Sequence, residues 1–72
     1  MDTTTFVLEQ LDADDRAESV RRLLDDEPGV ARVLVRPDRA EIYVRHSAAK
    51  APRNRLLERL RDEGYVARIK RR

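Results

Sequence analysis

Three aspartates crowd one short stretch: Asp12, Asp14 and Asp15, followed directly by Arg16. Carboxylate oxygens gathered in one loop suit a hard cation such as Ca²⁺, Mg²⁺ or Mn²⁺. The spacing is not that of an EF-hand, and a guanidinium in the same turn opposes a cation. Acidic side chains just before a helix also cap its free N–H groups and complement its dipole. Capping is therefore the expected role, with weak cation binding at most. No cysteine is present, which excludes disulfides, thiolate metal sites and cysteine nucleophiles. No Ser/His/Asp arrangement, acid–base pair or glycine-rich phosphate loop occurs, so no enzyme activity is expected.

The elements that must position these residues follow from periodicity. Seventy-two residues make one domain, with a core at about 4–69 and a basic tail at 70–72. Thr4 to Gln10 reads as a strand, with Phe6 and Leu8 on one face. A helix over Arg16–Asp26 carries the apolar stripe Ala17, Val20, Leu23 and Leu24. Asp15 and Glu18 form a capping-box pattern at its start, and Pro28-Gly29 stops it. Val30–Arg36 is a second strand with Ala31, Val33 and Val35 inward. After a turn at Pro37-Asp38-Arg39, Ala40–His46 is a third strand with Ala40, Ile42 and Val44 inward. A second helix starts near Pro52, carries Leu56, Leu57 and Leu60, and ends at Gly64. Tyr65–Lys70 is the fourth strand. This order predicts an α+β, ferredoxin-like βαββαβ fold. Its four-stranded antiparallel sheet has the order 4-1-3-2, with two helices on one face.

That topology separates the candidate residues. The first strand ends at the aspartate loop, whereas the third ends at the opposite pole. His46, the only histidine, therefore lies about 20 Å from the loop, a strand length away. It cannot complete a metal site there and is expected to be an ordinary strand-end residue. The outer sheet face carries Val7 and Glu9, then Arg32, Leu34 and Arg36, then Glu41, Tyr43 and Arg45, then Val66, Arg68 and Lys70. Apolar groups ringed by arginine resemble the anchors and rim of a modest protein interface. Arg32, Leu34, Arg36, Tyr43, Arg45, Val66 and Arg68 are the candidate partner-binding residues.

The same residues resemble the heavy-metal-associated domain family, found as copper chaperones and as N-terminal modules of P-type metal-transporting ATPases. The family's first strand and loop read T-F-x-V-x-G-M-x-C-x-x-C, and this chain has Thr5-Phe6-Val7-Leu8-Glu9-Gln10-Leu11-Asp12-Ala13-Asp14-Asp15-Arg16. Val20, Leu24 and Pro28-Gly29-Val30 fall in register without a gap, and Glu63-Gly64-Tyr65 matches a family A-G-Y. The likeness covers about residues 4–69. It implies the family fold, and it places Tyr65 near the loop, packed on Leu11. The chemistry departs from the family. The two cysteine positions are Ala13 and Arg16, the family glycine is Gln10 and the loop methionine is Leu11. A soft ion needs thiolate or thioether ligands; alanine cannot ligate and an arginine repels a cation.

The resemblance therefore implies a regulatory or docking module with soft-metal binding lost or weak and no cofactor. Its expected partner is another protein or the downstream domain of a transporter. RNA-recognition motifs share the topology but need stacking aromatics on the central strands. Tyr43 stands alone there, so nucleic-acid binding is the secondary expectation. The chain has no apolar run long enough to span a bilayer and its start lacks a signal-peptide pattern. A cytoplasmic monomer or weak dimer is expected, without membrane insertion.

Overall fold

A computed structural model describes residues 1–11 and 15–71. Five strands and helices of regular length and one short fourth strand run β1 (Asp2–Leu8), α1 (Arg16–Asp25), β2 (Val30–Arg36), β3 (Glu41–His46), α2 (Arg53–Asp62) and β4 (Ala67–Ile69). A 3₁₀ turn over Pro37–Arg39 joins β2 to β3. The sheet order is β2-β3-β1-β4, with every pairing antiparallel. This is the predicted 4-1-3-2 order read from the other edge.

Strand alternation sends one set of side chains under the helices. Phe6, Leu8, Ile42 and Val44 from the sheet meet Val20 and Leu24 of α1 and Leu56 and Leu60 of α2, all fully buried. Leu11, Ala51 and Ala67 complete this core, while Val33, Val35, Ala40, Leu57 and Tyr65 pack at its margin.

The structure corrects four details. Ala31 is exposed rather than inward, because a bulge between Val30 and Arg32 shifts the β2–β3 register there. Asp15 does not cap α1 with its side chain; its backbone is left-handed, with φ 61°. Glu18 turns along the helix to Arg21 and Arg22 instead of back to the cap, so the capping box is not formed. The fourth strand begins at Ala67, two residues later than its pattern suggests, because Gly64, with φ 89°, and Tyr65 close α2. The Tyr65 N–H donates to the Leu60 carbonyl at 3.1 Å and the Gly64 N–H to that of Arg61 at 2.9 Å.

Candidate functional site

At the loop pole, β1 ends and α1 begins around Leu11, which is fully buried and anchors the connection from below. Gln10 makes the turn out of β1 with φ 59°. The Glu9 N–H donates to the Val66 carbonyl at 3.1 Å and the Leu8 N–H to that of Ala40 at 3.0 Å, which ties this pole to β3 and to the approach of β4. Asp12, Ala13 and Asp14 lie outside the described residues. Asp15 is exposed.

Arg16 is half-buried in the first turn of α1. Its guanidinium lies over the ring of Tyr65, 5.6 Å from the centroid. That is a cation–π arrangement. Among the described residues no group of three or more His, Asp or Glu side chains is placed to hold a metal ion.

His46 sits at the far pole, in register with Asp2 at the start of β1, and is 1% exposed. Its Nδ1 lies 2.6 Å from the Ala51 carbonyl oxygen. A carbonyl only accepts, so Nδ1 carries the proton. In the tautomer with the proton on Nδ1, Nε2 accepts from the Thr4 hydroxyl at 2.8 Å. The histidine expected at a strand end is a buried brace joining β1, β3 and the approach to α2. Thr4, a polar residue on the inward face of β1, was the available signal for it.

The outer sheet face holds a feature that alternation alone misses. Glu41 points outward yet is only 6% exposed. Its carboxylate accepts from the Tyr43 hydroxyl at 2.7 Å and from the Lys70 ammonium, which reaches across from the end of β4. The Lys70 hydrogen bond above all, then that from Tyr43, holds the Glu41 carboxyl below the usual glutamate range against the opposing effect of burial. Around this network the register sets Arg32 beside Arg45, Leu34 beside Tyr43 and Arg36 beside Glu41. On β1, Thr5 faces Tyr43 and Val7 faces both Glu41 and Arg68. Leu34 and Val66 are 45% and 62% exposed. They lie toward opposite edges of the sheet, so the candidate residues form one group on β2 and β3, with Val66 and Arg68 apart.

No family model matches the sequence, and no curated protein matches it. Solved structures do match in fold. Oxidized MerP from Ralstonia metallidurans CH34 superposes with a TM-score of 0.90 at 21% identity, over 97% of this chain and 97% of that one. A copper binding domain from HMA7, a P-type ATPase, gives 0.91 at 18% identity, over 99% of this chain and 96% of that one. The N-terminal domain of PacS from Synechocystis PCC6803 gives 0.83 at 22% identity, over 99% and 100%. The chain therefore has the fold of the heavy-metal-associated domains over nearly its whole length, and it contains no cysteine. Among the described residues no helix is long and apolar enough to cross a membrane.

Proposed function

We propose that this chain is a non-catalytic module of the heavy-metal-associated type that has given up soft-metal handling and acts by docking, on another protein or on the remainder of a transporter. The observation that carries the reading is Arg16. A family-like fold is kept along nearly the whole chain, but the position that the sequence resemblance assigns to a ligand holds a guanidinium seated on Tyr65. A permanently charged donor cannot ligate a cation and repels one nearby. With no thiolate anywhere, Cu(I) and Zn²⁺ lose the ligands they prefer.

The test is anaerobic titration of the protein with Cu(I) and with Zn²⁺, beside the variant Ala13→Cys/Arg16→Cys. The wild type should show no sub-micromolar site, and the variant should gain a one-to-one soft-metal site. Tight one-to-one binding by the wild type overturns the reading. A folded variant that ignores Cu(I) shows that the two positions are not ligand positions. The nucleic-acid alternative has weaker support, because the single aromatic ring of the β3 face is tied by its hydroxyl to a buried carboxylate.

A further inference from the structure

We propose that the free edge of β2 is a strand-docking site for an acidic, extended segment of a partner protein. It rests on the docking reading above and adds the binding mode and the partner's chemistry. β2 is an outermost strand of the sheet. Alternate residues of such a strand leave their N–H and C=O groups without ladder partners. Among the described residues, no backbone group outside the ladder bonds to residues 31–35. The bulge confines regular pairing to Arg32–Arg36, so the template is a five-residue stretch.

The side chains of that stretch define what would fit. Arg32, Leu34 and Arg36 share the outer face, and β3 adds Arg45 and Tyr43 behind the first two. Glu41, the carboxylate in register with Arg36, is committed to Lys70 and Tyr43 and does not neutralise the row. Among the described residues Arg36 makes one ion pair, with Asp38 at 3.7 Å and both side chains well exposed, a pair of the weak surface kind. An incoming strand would therefore be matched by two carboxylates four residues apart, about 13 Å, with an apolar residue between them over Leu34. Backbone hydrogen bonds would supply the attachment and the alternate side chains the selectivity.

A second copy of this chain fits less well. The two-fold pairing that lays Leu34 on Leu34 sets Arg32 of each copy against Arg36 of the other, and like charges directly opposite are unfavourable. The charge row thus turns the edge away from itself and toward an acidic strand.

The experiment uses the full chain and a synthetic nine-residue peptide with Glu at positions three and seven and Leu at five. Fluorescence anisotropy measures affinity at two salt concentrations, and amide hydrogen exchange locates the contact. Binding should weaken with salt, and the amides of β2 should gain protection. Arg32→Glu/Arg36→Glu should weaken binding about tenfold or more, with an opposite preference for the same peptide carrying Lys in place of Glu. A peptide N-methylated along its docking edge should not bind, whatever its charge. Absence of binding, protection elsewhere than β2, or equal affinity for the Glu and Lys peptides overturns the proposal. Concentration-dependent mass with β2 protected before peptide is added assigns the edge to a second copy and overturns it too. If the peptide fails while the metal titration is negative, only the edge is wrong; tight Cu(I) binding would instead remove the docking reading.

Discussion

Both ring nitrogens of His46 are engaged, Nδ1 with the Ala51 carbonyl and Nε2 with the Thr4 hydroxyl. Removing the Thr4 hydroxyl leaves Nε2 buried without a donor. Thr4→Val should therefore cost about 1–3 kcal/mol, the range for orphaning one buried polar group, measured by urea unfolding. A loss within error of zero would mean that the ring finds another partner. Glu41 gives a second prediction at this scale. Lys70 and Tyr43 favour its ionised form, so the folded chain holds the carboxylate to lower pH than the unfolded chain does. That stabilisation is present at neutral pH and is lost as pH falls through the ordinary glutamate range, about 4, toward the lower folded value. Glu18, held low first by its hydrogen bond from Arg21, has the same sign but is untouched by a change at Glu41. In thermal melts from pH 7 to pH 2, Glu41→Gln should narrow the acid loss of melting temperature, and parallel curves for the two proteins would reject the assignment. Neither group was legible in the sequence as what it is. Alternation told which way Glu41 points, but its burial depends on Lys70 reaching over β1, a contact 29 residues away in the chain.

The two glycines, one in the turn between α1 and β2 and one at the end of α2, are under different constraints. Gly29 has φ 93°, and a Cβ there would lie 2.7 Å from the Cβ of Lys50 and 3.0 Å from that of Ala51. Gly64 has φ 89°, with nothing within 4 Å of the same position. Gly64→Ala should cost about 1–2 kcal/mol, the backbone penalty of a left-handed L-residue. Gly29→Ala should cost more, by about 1 kcal/mol or above, because the loop before α2 must shift as well. Chemical unfolding of both variants compares the two, and equal losses would mean that this loop yields freely. The short connections were legible because Pro-Gly and Glu-Gly follow apolar stripes of helical period. The capping of α1 was not. The backbone at Asp15 is already left-handed, and the nearby arginines compete for Glu18. Glu27 escaped notice for a similar reason: it follows α1 in sequence, but Arg55 and Arg59 of α2 reach it at 3.6 and 3.0 Å. Such a link is visible only once the helices are laid side by side.

At the scale of the whole molecule, the order of elements and the inward faces were readable because alternation in Phe6/Leu8 and Ile42/Val44 and the helical stripes in Val20/Leu24 and Leu56/Leu60 all point to one layered arrangement. The functional surfaces were less so, since a face is shared by strands distant in sequence. Leu34 and Tyr43 become neighbours through register, while Val66 falls toward the other edge. The placement of the two tyrosines has a practical outcome. The chain has no tryptophan and only these two tyrosines, so its intrinsic ultraviolet emission comes from two phenols. One lies beneath Arg16 at the loop pole, and the other bonds Glu41 on the outer face. The protein thus carries one natural optical label at the loop pole and one on the outer sheet face. With Tyr43→Phe and Tyr65→Phe in hand, a change in emission on adding a partner reports which end of the molecule has been covered, with no dye attached.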